Sequence, residues 1–145
     1  MDKNKLIDFG PKKFNYITRT DNNNGIHSLV SKQNKEINKG NCLTIGLDTQ
    51  TCFYQEEDFY TGQNIHIFRV KKDLSPSIYC FLSVLIKKQM KLLFRWGDNG
   101  ATLGRLQKQS IKLPVKQDGS PDWDYIENYI KDKKSELLSA FEIAL

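Results

Sequence analysis

Eight of the nine residues from 78 to 86 are apolar or aromatic, and they follow directly on Ser75-Pro76, a serine placed to cap a helix and a proline suited to its first turn. A helix that is apolar on nearly every side has to be wrapped by other elements, so this segment predicts a central buried helix. Beyond it, Lys87, Lys88 and Lys91 turn the helix amphipathic and face solvent.

The material to wrap that helix lies in the first 70 residues. Segments 14–18, 41–46, 51–55 and 64–70 are rich in β-branched and aromatic residues, and turn formers such as Asn23-Asn24-Gly25, Asn38-Lys39-Gly40 and Thr61-Gly62 separate them. In 64–70 the alternation puts Ile65, Ile67 and Val70 inward. After a glycine-rich turn at 96–104, the sequence predicts a short helix from about Thr102 and a strand over 110–113, closing at Pro114. The expected class is α+β: a β-rich N-terminal part, an α/β C-terminal part around the buried helix, and a final spacer or dimerisation helix. That helix starts at Ser120-Pro121, with Trp123, Ile126, Ile130, Leu137 and Phe141 along one face that needs a domain or a partner helix to cover it. The boundary falls between residues 1–116 and 117–145.

Charge is distributed unevenly. Residues 86–116 hold eight basic residues against the single acid Asp98, residues 1–41 hold eight against four, and residues 117–145 hold three against seven. A net charge of +5 therefore understates two basic regions, because an acidic tail dilutes them. Such asymmetry suits a polyanion, and lysines on a helix also suit a plain solvated face.

The chemistry of catalysis is sparse. His27 and His66 are too few and too far apart for a catalytic zinc site, and Cys42, Cys52 and Cys80 show no Cys-x-x-Cys spacing and read as ordinary buried thiols. Neither a nucleophile elbow nor a phosphate loop is present, and Glu56-Glu57-Asp58 is better explained as a solvated turn than as a magnesium site. The expectation is a non-enzyme without metal or cofactor. No apolar run reaches membrane-spanning length, and no signal core follows Met1, so a cytoplasmic location is the default.

What remains is a stock of groups that read base edges and hold phosphates. Asn22, Asn23, Asn24, Gln33, Gln50 and Gln55 carry amides that pair bidentately with adenine, and Lys12, Lys13, Arg19 and Lys35 lie close to them in sequence. Arg95, Asn99 and Arg105 flank or occupy the glycine turn, which serves either as a phosphate site or as a simple reversal. Amide-rich loops are also loops.

Six segments in order carry a family likeness. They are Tyr16-Ile17-Thr18-Arg19-Thr20 with Asn23-Asn24-Gly25-Ile26, Ile45-Gly46-Leu47-Asp48-Thr49 with Phe53-Tyr54-Gln55, Phe59-Tyr60-Thr61-Gly62, Trp96-Gly97 with 99–106, Ile111-Lys112-Leu113-Pro114, and 121–126. Together they resemble the target recognition domain of type I restriction-modification specificity subunits and of the related BcgI kind. The resemblance implies a non-catalytic module that binds one half of a split double-stranded DNA target and positions a DNA methyltransferase subunit, with or without a restriction subunit. A full specificity subunit carries two such domains and two long helices. One domain and one helix here imply a half-length subunit that pairs with itself through the C-terminal helix, or part of a longer chain. The competing expectation is a protein-interaction module that works through that helix and does not bind DNA.

Overall fold

The computed structural model describes residues 1–94 and 102–143, with side chains through residue 141. Six strands and three α-helices follow in order: β1 (Phe14–Ile17), β2 (Ile26–Val30), β3 (Cys42–Gly46), β4 (Thr51–Gln55), β5 (Phe59–Thr61), β6 (Ile65–Phe68), α1 (Pro76–Leu93), α2 (Leu103–Leu106) and α3 (Trp123–Ile143). They make two three-stranded sheets, β2-β1-β5 and β4-β3-β6. The class is α+β, as the residue pattern predicts.

In the first sheet β1 pairs antiparallel with β2 and parallel with β5, so the β3–β4 hairpin lies within the connection between two strands of a sheet it does not join. The second sheet is antiparallel throughout. The two are held close where residues 39–41 run against residues 56–58. A Cβ on Gly40 would stand 2.0 Å from the Glu56 carbonyl oxygen, so only glycine fits there. The Asp58 carboxylate fixes the crossing by accepting from the Gly40 amide at 2.9 Å and from Lys39 at 2.8 Å.

Ser75 caps α1 as its position predicts, accepting from the Ile78 amide at 3.3 Å, and Pro76 opens the helix. Ile78, Tyr79, Leu82, Ile86 and Met90 then form a stripe at helical spacing that packs on Leu43, Ile45, Leu47 and Cys52 of the second sheet and its hairpin. The stripe is one face, not the whole circumference: Val84, expected inside, is 64% exposed. Tyr79 stacks on Tyr54 of β4 with ring centroids 5.5 Å apart.

Several expectations need correction. β2 and β5 are strands that the residue pattern left as loop, because one is an exposed edge and the other only three residues long. Residues 110–113 pair with no strand, and the ladder near Pro114 is reduced to a single bridge between Val115 and Pro121. Ile67 is exposed on the edge strand β6. The cap of α3 is Asp122, which accepts from the Tyr125 amide at 3.0 Å, while the Ser120 hydroxyl donates to Asp118.

The stripe expected along α3 also divides. Ile126 is fully buried in the α1 core, with Trp123 packed against the same cluster, and the Ser75 hydroxyl donates to Glu127. Ile130 is half-buried, whereas Leu137 and Phe141 are 61% and 68% exposed. Ile126→Ala is therefore expected to destabilise the protein by about 2–5 kcal/mol in urea unfolding, and Leu138→Ala, at an exposed position, by less than about 0.5 kcal/mol.

Candidate nucleic-acid interface

The two ends of β1 carry two different clusters. Because Phe14 pairs with Val30 and Ile17 with Ile26, residues 18–25 gather at one end while Lys12, Lys13 and residues 31–35 gather at the other. The four residues of β1, rising about 3.3 Å each, put roughly 13 Å of strand between them. Lys12, Lys13, Gln33 and Lys35, grouped with Arg19 by sequence proximity, are therefore not its neighbours.

At the first end the loop 18–25 closes on itself, with Thr18 donating to the Gly25 carbonyl at 2.9 Å. Asn23, Asn24 and Gly25 take φ values of 46°, 55° and 79°, a run of left-handed backbone that asparagine tolerates and glycine accommodates without strain. A side chain at Gly25 would also press on Phe53 at 3.1 Å. The Asn24 amide donates to the Tyr54 carbonyl at 2.7 Å, and Gln55 donates back to the Asn24 carbonyl at 2.9 Å and to Thr44 at 3.1 Å. Asn23 donates to the Ile26 carbonyl. These amides brace the loop. Asn22 alone of the loop's three asparagines keeps an exposed side-chain amide with no protein partner among the described residues.

Around that loop the charges are placed by pairing. Lys87 of α1 reaches Asp21 at 2.6 Å and lies over the Phe53 ring, 5.1 Å from its centroid. Arg19 meets Asp48 of the β3–β4 turn at 2.7 Å, where Asn64 donates to the same carboxylate at 3.2 Å. Gln50, with φ of 53°, donates to the Phe94 carbonyl at the end of α1, and the Arg105 guanidinium sits 5.0 Å from the centre of the Phe94 ring. Arg19 and Arg105 are thus both tied to the β3–β4 turn, Arg19 through Asp48 and Arg105 through Phe94 and Gln50, with Asn22 on the same loop as Arg19. Arg95 and Asn99 lie outside the described residues.

Gln33 behaves otherwise than its position among loop amides suggests. It is 5% exposed, accepts from the Ile7 amide at 2.8 Å and donates to the Ile7 and Ser31 carbonyls at 3.0 and 2.8 Å. With its hydrogen-bonding capacity used internally, it fixes backbone and has no edge left for a base. Gln55 is buried in the same way. Asp21 and Asp48 carry no signal for such a site in the sequence, since carboxylates argue against a polyanion until their partners are seen, and Asn64 joins only by donating to Asp48 across the fold.

Other chemistry is quiet. Burial raises the Cys42 thiol and pushes that of Cys52 up to about 12, which leaves both protonated and unreactive. Among the described residues no group of three histidine, cysteine or acidic side chains is arranged to hold a metal ion, and no helix among them is long and apolar enough to cross a membrane.

Residues 1–140 match the model of the type I restriction modification DNA specificity domain. Over 130 residues the chain is 30% identical to S.BcgI, the specificity subunit of a type II restriction enzyme from Heyndrickxia coagulans, covering 88% of this chain and 37% of that protein. The chain thus spans little more than a third of the length of that curated relative. No solved structure matches it.

The Asp48 carboxylate is held below its ordinary value of 3.8, first by the hydrogen bond from Arg19 and then by that from Asn64. A depressed folded value contributes stability that is complete above the ordinary value and fades as pH falls through the lower one. Carboxyl-carbon NMR titration is expected to show Asp48 below the ordinary range, and Arg19→Ala to move it upward.

Proposed function

The chain belongs to the family of type I restriction modification DNA specificity domains, and on that premise we propose that it recognises double-stranded DNA by sequence and lends no reaction of its own. The observation that carries this reading is the anchoring of Arg19 and Arg105 on the β3–β4 turn, with Asn22 on the loop that carries Arg19. Cations there are fixed in position by Asp48 and by the Phe94 ring, beside an asparagine with its amide free. Phosphate contacts set register and base-edge contacts set sequence, and this surface offers both kinds. In this reading residues 1–116 are the recognition domain and 117–145 the linker and spacer helix, whose first two turns dock on the domain.

The methylation chemistry belongs to a partner DNA methyltransferase subunit, with cleavage, where it occurs, carried by partner subunits as well. We assign contact with the partner, or with a second copy of the chain, to the distal part of α3, where Leu137, Leu138 and Phe141 are all exposed. A cytoplasmic location goes with such a role. The same apolar surface is what a purely protein-binding module would use, so the two readings differ in whether DNA is bound.

Titrating labelled duplexes at several salt concentrations separates them. Arg19→Ala and Arg105→Ala are expected to weaken binding to every duplex and to lower the salt slope by about one each, while Asn22→Ala changes the ranking among sequences by about 1–3 kcal/mol. No binding at low salt, with or without the methyltransferase, would defeat the DNA reading. The double change Leu137→Asp with Phe141→Asp is expected to abolish pull-down of the methyltransferase subunit, or self-association in sedimentation, and to leave duplex affinity unchanged.

A further inference from the structure

The most exposed large apolar side chain described in the structure is Phe9, at 85%, and it stands at the other end of β1 from the amide loop. Its ring touches no other aromatic ring among the described residues. Yet the loop that carries it is pinned on both sides. Gln33 holds Ile7 through both its amide and its carbonyl, and Ser31 donates to the Gly10 carbonyl at 3.0 Å. Lys12 is tied to Asp8 at 2.6 Å, and the Lys13 amide donates to the Val30 carbonyl at 3.1 Å. Gly10, at φ of 93°, makes the turn that throws Phe9 outward. Beneath the ring lies a cleft of about 480 Å³ with Pro11 and Phe14 in its wall, rimmed by Lys13 and Lys32. Neither lysine has an acidic partner among the described residues, whereas Lys12, Lys39, Lys87 and Lys116 each have one.

We propose that Phe9, with Lys13 and Lys32, is a second DNA contact, in which the ring stacks on a base step of the duplex and the two ammonium groups take the flanking phosphates. The proposal rests on the DNA reading above and extends it to a part of the chain that reading does not use. An apolar ring held outward by a braced loop loses little freedom on binding, and wedging between base steps is a use of such a ring that needs no particular base. Free ammonium groups beside it choose a polyanion over an apolar protein surface. The 13 Å of strand between the two clusters corresponds to roughly four base pairs at about 3.4 Å each, a separation well within the length of one binding site. Gln33 is here a positioning residue: it sets the loop from which Phe9 projects.

The test uses the full chain and a mixed-sequence 30-base-pair duplex pool, with the same pool as single strands. Phe9→Ala is expected to weaken duplex binding about tenfold with the salt slope unchanged, and Lys13→Ala with Lys32→Ala to lower the slope by about two. Phe9→Trp is expected to retain affinity and to show a larger fluorescence change on adding duplex than the parent, whose tryptophans are Trp96 and Trp123. The wedge is overturned if Phe9→Ala binds duplex as the parent does while Arg19→Ala is impaired, an outcome that leaves the recognition surface standing. Equal binding and an equal fluorescence response with single strands would also overturn it, as would a Phe9→Ala chain that keeps DNA but loses the methyltransferase subunit. A parent chain that binds no duplex, alone or with that subunit, removes both ideas together.

Discussion

The largest core of this fold is built on one face of α1. Ile78, Tyr79, Leu82, Ile86 and Met90 are covered on one side by the second sheet and completed by Ile126 at the start of α3, so a single apolar stripe joins the sheet and α3 into one core. The polar positions of the same helix are then fixed by default. Lys87 is turned toward Asp21 and Phe53, and the helix end brings Phe94 to the β3–β4 turn. Burial of hydrocarbon thus decides where the charged and amide groups stand, although those groups contribute little to the burial itself.

The amides divide their labour. Asn24 at the surface and Gln33 and Gln55 in the interior each donate to backbone carbonyls, and a buried amide such as the last two contributes order that an apolar residue could not. The Asn22 side chain, by contrast, braces nothing among the described residues. A loop made rigid by its neighbours and open at one position can change what it contacts without changing its shape. That combination suits a recognition element better than a uniformly mobile loop would. Carboxylates share the work, since Asp48 holds Arg19 in place and Asp21 does the same for Lys87.

Much of this was legible in the residues. The capped start of α1, four of six strands and the final helix follow from capping chemistry and periodicity, signals carried by neighbours in the chain. What failed depended on distant partners. β5 is three residues that become a strand only because β1 lies parallel to them, and 110–113, where Ile111 and Leu113 alternate with polar residues, is left without a strand beside it. Gln33 looked like any loop amide until Ile7 came to meet it across the fold. The uniform stripe on α3 was read correctly as apolar, but its division into a docked part and an exposed part is set by where the domain ends. Phe9 carried a signal in Phe9-Gly10-Pro11-Lys12-Lys13, an aromatic beside a turn and two cations, that composition alone does not separate from an ordinary loop.

The parallel pairing of β1 with β5 has a further consequence for how the chain assembles. Tyr16 and Tyr60 are neighbours in the sheet and 44 positions apart in the chain, with the β3–β4 hairpin strung between them. Closing that pair early would cost the entropy of a long loop, so the hairpin and its local partner β6 are expected to condense first and shorten the gap. The edge of β1 that takes β5 is therefore expected to pair after the other sheet has formed, and until then it is an open strand edge.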